Sequence, residues 1–239
     1  MRMSRRTASI ATVAAGLVAL AAAVAPSALA DGHGTGSGID KQRMMRKSDV
    51  PAVLGKTTSY GFTNRSLDRS LGICEDANGK VTSIVAPTRQ AWVTIENKAT
   101  KAAPYSSEDE FVYQYDSTDA ATAAFKALAT AAAACTGATS GKDPGSTQIT
   151  LTTTLSTGTV PVGAAGAATW VQESTAYTAP AGFPANGAKT VSYTVFAQAG
   201  DAITSTVYYV NGSDGISPAQ VTATQQLAQG NAMRWMARR

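Results

Sequence analysis

The chain has 239 residues, with 20 basic, 16 acidic and one histidine, a formal charge of +4 and a calculated pI near 9.1. Three of the basic residues, Arg2, Arg5 and Arg6, lie in the first 30 positions, so residues 31–239 carry 17 basic against 16 acidic groups, a formal +1. That near-neutral balance excludes the concentrated basic face that a nucleic-acid partner needs, and one histidine with two cysteines is too few for the usual metal-ligand clusters.

Residues Ala8 to Ala25 are almost wholly Ala, Val, Leu, Ile and Gly, and Pro26 interrupts any helix they form. Ala28-Leu29-Ala30 then supplies a small-x-small exit. A basic start, an apolar middle and such an exit are the three parts of a secretory signal peptide, expected here over residues 1–30 with cleavage between Ala30 and Asp31. The alternative, an uncleaved anchor, needs about 20 apolar residues to cross the hydrocarbon, and this stretch is short and Ala-rich. Ser4-Arg5-Arg6 also resembles a twin-arginine signal, but Ala8 and Ser9 stand where hydrophobic residues should follow, which favours Sec-type export. The mature 209 residues suit one domain with no membrane span.

Residues 31–47 read as a flexible tether: a Gly-rich run holding the sole histidine, His33, then a basic stretch of Lys41, Arg43, Arg46 and Lys47 expected on a solvated helix face. The folded domain is expected over residues 48–239, opening with a short helix capped by Ser48 and stopped by Gly55. Cys74 and Cys135 are the only cysteines, and in an exported chain an even number points to a disulfide, the alternative being two separate buried thiols.

Residues 90–97 alternate as a half-buried strand and 110–115 as a second, with Glu108-Asp109-Glu110 expected as a solvated run at its start. Ser117-Thr118-Asp119 begin an Ala-rich helix that runs to Cys135, with Phe125 and Leu128 facing the core and Gly137 ending it. Strands follow at 147–155, 167–177, 189–199 and 202–210, the last two joined by Gly200-Asp201 in a tight hairpin. Ser217 and Pro218 start a closing helix carrying Val221, Leu227, Ala228, Met233 and Trp235, weakened by Gly230. Hairpin-linked strands with flanking helices make an α+β fold: one compact antiparallel sheet domain after a signal peptide and tether.

No catalytic motif emerges. Ser-His-Asp and Cys-His mechanisms need a placed histidine, and Gly163-Ala164-Ala165-Gly166 lacks the lysine of a phosphate-binding loop. Paired carboxylates for a hydrolase are available in Glu96, Glu108, Asp109, Glu110 and Glu173. Alternation along single strands groups Trp92, Phe196 and Tyr208 with threonines, opposite Val93, Val195 and Val207. With Trp170 these aromatics are the candidate binding residues, since exposed rings amid hydroxyls suit sugars or peptides. The alternative is that loops or the closing helix cover them.

The order of elements resembles the PknH-like extracellular sensor domains of actinobacteria. The residues that carry the resemblance are Ser48-Asp49-Val50-Pro51-Ala52-Val53-Leu54-Gly55, the passage from Phe111-Val112-Tyr113-Gln114-Tyr115 into Asp119-Ala120-Ala121 and on to Cys135, and the final hairpin and helix. The resemblance implies a cleft for an unidentified ligand and often two disulfides, of which only one can form here. The expected function is a secreted, non-catalytic ligand-binding or sensor-like domain without cofactor or metal. Its partner would be an unknown small ligand or a cell-envelope component. A carboxylate-dependent hydrolase and a structural surface protein are the alternatives.

Overall fold

The computed structural model describes residues 39–55, 59–65, 72–75, 81–84, 86–97, 104–143, 146–163, 166–183, 186–213 and 215–236. The expected signal peptide, Ala30, Asp31, His33 and the first part of the tether lie outside them, as does the side chain of Cys74.

Among the described residues ten strands and two α-helices follow one another: β1 (Ser59–Arg65), β2 (Gly72–Glu75), β3 (Val81–Ser83), β4 (Arg89–Asn97), β5 (Ser106–Gln114), α1 (Thr118–Ala134), β6 (Gly137–Asp143), β7 (Ser146–Pro161), β8 (Ala167–Thr178), β9 (Lys189–Ala199), β10 (Ala202–Asn211) and α2 (Pro218–Met236). Eight strands form one antiparallel sheet in the order β1-β4-β5-β10-β9-β8-β7-β6, and β2 and β3 pair separately. After β5 the chain crosses through α1 to the far edge. It then returns strand by strand until β10 pairs with β5, from Ala202↔Gln114 to Val210↔Ser106. This is the expected α+β fold. The sequence had shown six of the ten strands described. Of the others, β2 and β3 are only four and three residues long, and β6 is rich in Gly, Ser and Thr. β1 offers only Tyr60 and Phe62 as an apolar alternation, too little for a periodic signal.

Both helices start where their caps predict. The Ser117 hydroxyl accepts the Ala120 amide at 3.1 Å. Ser217 and Gln220 bond reciprocally, Ser217 N–H donating to Oε1 at 2.9 Å and Gln220 N–H to the Ser217 hydroxyl at 3.3 Å, a capping box. Ala121, Ala124, Leu128 and Ala132 form the buried stripe of α1, and their small side chains let it lie close on the sheet. Phe125, expected beside Leu128, is only partly buried. Gly230 is accommodated in α2 because it faces open space.

The N-terminal segment differs from expectation. The part of the tether that is described, from Ile39, joins the core: Met44 and Met45 are fully buried and Leu54 nearly so. Ile39–Gly55 is a strap of three 3₁₀ turns, Lys41–Arg43, Lys47–Asp49 and Ala52–Leu54, rather than a tether and one short helix. Pro51 explains the break, since it disfavours helical backbone at Val50. Ser48 lies inside the second turn, and Gly55 stops the third at φ 131°, a conformation L side chains avoid.

Gly158 of β7 lies opposite Trp170 of β8, whose indole covers it; a Cβ there would approach the ring to 2.7 Å. The absent side chain makes room for Trp170 to lean on Tyr193, ring centroids 5.5 Å apart. Gly158→Val should lower stability by roughly 1–3 kcal/mol through overpacking, read by calorimetry as a lower Tm; an unchanged Tm would contradict this packing.

Candidate functional site: a polar band on the sheet

Residues directly opposite in an antiparallel ladder share a face. Across the sheet, Trp92, Phe111, Ser205, Phe196 and Thr169 fall in one row, on the face that α1 covers. The adjacent row, Val93, Glu110, Thr206, Val195 and Trp170, stands on the opposite face, under α2 and the strap.

The candidate aromatics are therefore divided. Trp92 and Phe196 belong to the α1 face, Trp170 and Tyr208 to the α2 face. Tyr208 had been grouped with Trp92 and Phe196, and Val207 with Val93 and Val195; the structure exchanges them. The reason is register: β10 places Val207 opposite Thr194 and Tyr208 opposite Tyr193, an offset that alternation within one strand cannot reveal. Phe196 and Tyr208 are buried, and Trp92 and Trp170 half-buried. The Tyr208 hydroxyl accepts from Gln220 Nε2 at 2.8 Å, a packing role beneath α2.

The acidic run is a second correction. Glu108-Asp109-Glu110 was expected as a solvated strand start, yet β5 begins at Ser106 and lies between β4 and β10, so all three are buried. Glu108 and Glu110 point to the α2 face and are fully enclosed, while Asp109 points to the α1 face. No partner on another residue meets either Glu108 oxygen, and burial, with the Asp109 charge adding, pushes its carboxyl up to about 8. Burial raises Glu110 to about 7, against the Met45 amide that donates to it and the Arg234 charge. Asp109 rises to about 6, also by burial, opposed by the hydroxyls of Thr94 and Ser107 that donate to it.

On the α1 face, two apolar clusters leave a polar band between them. One lies under α1 and includes Val171, Phe196 and Val207. The other joins Ile149, Leu151 and Tyr177 to Ala179, Phe183 and Ala188 of the β8–β9 loop. The rows between them read Asp109, Val207, Thr194 and Val171; then Glu96, Ser107, Tyr209, Ser192 and Glu173; then Thr190, Thr175 and Thr153. The buried Ser, Thr, Asp and Glu of these rows keep between 3% (Thr175) and 8% (Asp109) of their surface, unlike the sealed Glu108 and Glu110 at 0%.

The band is internally bonded. Glu96 accepts from Ser59 at 2.9 Å and Tyr105 at 3.1 Å, and Thr175 donates to Glu173 at 3.1 Å and meets Thr153 at 3.0 Å. Tyr209 is held protonated, its hydroxyl pushed up to about 12 by burial first. Among the described residues the band carries no Lys or Arg side chain. It therefore offers hydroxyls and carboxylates to a neutral or cationic ligand and no positive charge to an anion. Of its carboxylates, Asp109 and Glu173 stand three strands apart, about 14 Å at the usual strand spacing. Glu96 and Asp109, by contrast, are diagonal neighbours on paired strands, about 7–8 Å apart, within the ~5–10 Å that paired-carboxylate hydrolysis uses. Among the described residues no cluster of His, Cys, Asp or Glu is placed to hold a metal.

No protein-family model matches the chain, and no curated protein matches it in sequence. Among solved structures it is similar to the extracellular domain of PknH from Mycobacterium tuberculosis, with a TM-score of 0.50 at 12% identity, over 80% of this chain and 93% of that domain. The likeness is one of fold. Among the described residues no helix is long and apolar enough to cross a membrane.

The three raised carboxyls make stability depend on pH with an unusual sign. Each binds its proton more tightly folded than unfolded, so the native state holds extra protons between the ordinary carboxyl values of 3.8–4.5 and about pH 8. Stability is then greatest in mild acid and declines as pH rises through that window. Scanning calorimetry should give a Tm at pH 8 at least about 4 °C below that at pH 5, with Glu108→Gln narrowing the gap; a Tm higher at pH 8 would show that these carboxyls are not buried as described.

Proposed function

We propose that the chain is an exported, non-catalytic ligand-binding or sensor-like module, and that its binding surface is the polar band beside α1. The observation that carries this reading is the band itself: hydroxyls and carboxylates of the central strands grouped on the α1 face between two apolar clusters. The fold likeness to an extracellular domain of a receptor supports the same class. Without cationic side chains among its described residues, the band suits a neutral polyhydroxylated or amine-bearing compound, and a cell-envelope saccharide has both properties. Of the four candidate aromatics, Trp92 and Phe196 stand in the row next to the band, beside Thr94 and Thr194. Of these two Trp92 is the one that is only partly buried, where its ring can stack on a sugar face.

Export by residues 1–30, with cleavage between Ala30 and Asp31, belongs to this proposal, as does a Cys74–Cys135 disulfide. Cys135 is buried directly after α1, and α1 packs on β2, which carries Cys74, through the buried Ile73. A bridge there would tie the crossover helix to the small β2–β3 pair.

Thermal-shift measurements against cell-wall saccharides, muropeptides and amines test the binding reading. A true ligand at a hundred times its Kd should add about 2.7 kcal/mol of stability, and Thr175→Val with Thr190→Val should abolish the gain; a gain that survives both substitutions would place the site elsewhere. Intact mass of the secreted protein should begin at Asp31 and fall short of the reduced mass by two hydrogens. Cys135→Ser should then cost up to roughly 4 kcal/mol by the loop-closure estimate; a full complement of free thiols would remove the bridge.

A further inference from the structure

The face opposite the polar band holds the feature with the least structural justification. Glu108 and Glu110 lie two residues apart on one side of β5, both fully buried, beneath a strap that need not have been placed there. Neither oxygen of Glu108 meets a partner on another residue, and one oxygen of Glu110 is also unbonded. The other Glu110 oxygen accepts the backbone N–H of Met45, in the middle of the strap.

The strap's end is held by two further buried bonds, Asn97 Nδ2 of β4 and the Ser106 hydroxyl of β5 both donating to the Leu54 carbonyl at 3.4 Å. Its remaining side-chain fastenings run to α2 and the edge strand. Arg43 donates to the Trp235 carbonyl at 2.8 Å and stacks over the Trp235 ring at 3.8 Å. Asp49 pairs with Arg234 at 3.1 Å, half in solvent. The Lys41 ammonium sits 5.2 Å and 5.6 Å from the ring centres of Tyr60 and Phe62 on β1. These contacts are exposed or half-exposed and individually weak. Met44, Met45 and Leu54 close the apolar seal around the carboxyls.

We infer that the strap Ile39–Gly55 is a proton-controlled latch, seated while Glu108 and Glu110 are protonated and released when they ionise. Two anions in one sealed, water-free face would repel each other and lack solvation, and the thin strap is the layer whose departure admits water at least cost. The other groups facing the pair do not remove this dependence. Arg234 from α2 favours the anion at Glu110, while Asp49 from the strap opposes it, and Arg46 from the strap acts on Tyr60 beside it. Tyr60 from β1 and Tyr208 from β10 feel the carboxyl charges as phenols, and Asp109 on the same strand adds to the repulsion at Glu108. Glu108 has no facing cation among these, so it supplies the sensitivity and Glu110 the hook.

Hydrogen–deuterium exchange of the purified protein at pH 5.5 and pH 8, corrected for the intrinsic base-catalysed rate, decides the matter. The expected result is a strap whose amides over residues 43–50 are protected at pH 5.5. Their opening should rise by about tenfold per pH unit for each carboxyl that ionises on release, while β9 and β10 stay protected throughout. The double variant Glu108→Gln, Glu110→Gln should keep the strap protected at pH 8. The proposal is overturned if wild-type strap protection is independent of pH, if β9 and β10 open together with the strap, or if the folded double variant opens as the wild type does. Should the double variant not fold, the wild-type comparison of strap against sheet still supports or refutes it.

Discussion

The antiparallel pairing of β5 with β10 is the constraint on which the rest of this molecule depends. It joins two units that are far apart in sequence: the β1-β4-β5 group and the β6-to-β10 meander. Without it the sheet would be two pieces, each with an exposed edge and an uncovered face. The crossover through α1 is what makes it possible, because it carries the chain to the far edge so that the meander can return to β5. The same pairing moves Glu108, Asp109 and Glu110 from an exposed edge to an enclosed position, where water no longer solvates them.

That burial has opposite consequences on the two faces. Towards α1, Asp109 is met by hydroxyls and opens onto a band of Ser, Thr and Glu between apolar clusters. Towards α2, the two glutamates are sealed under Trp235, Met44 and Met45 with few polar neighbours. A hydrophobic pair of similar volume in their place would be expected to stabilise the fold, since unpaired buried carboxyls are costly. The cost falls on the strap and closing helix, the layers furthest from the sheet's hydrogen-bonded ladder. The ladder itself loses nothing when they loosen.

The proposed binding band and the proposed latch thus lie on opposite sides of one strand. Asp109 and Glu110 are consecutive, yet one faces the hydroxyls of Thr94 and Ser107 and the other an apolar cluster, because successive strand residues point to opposite faces. A ligand on the α1 face would act on the same β5 that carries the latch.

The sequence by itself determined the local elements with strong periodicity or capping: β4 by its alternation, α1 by Ser117 and its alanines, α2 by Ser217-Pro218, and the β9–β10 hairpin by Gly200-Asp201. The export signal and the cysteine pairing are also read from sequence alone, on composition and position. Only the tertiary structure decided which strands are neighbours, and from that everything about the candidate site follows. Alternation assigns side chains to two faces within a strand, but nothing local says which face of β10 matches which face of β9, so Tyr208 was grouped with the wrong partners. Nor could the Glu108–Glu110 run announce its burial, because an acidic strand start and a buried strand interior look alike until a neighbour covers the edge. Solvation is a property of what lies alongside, and long-range pairing supplies it.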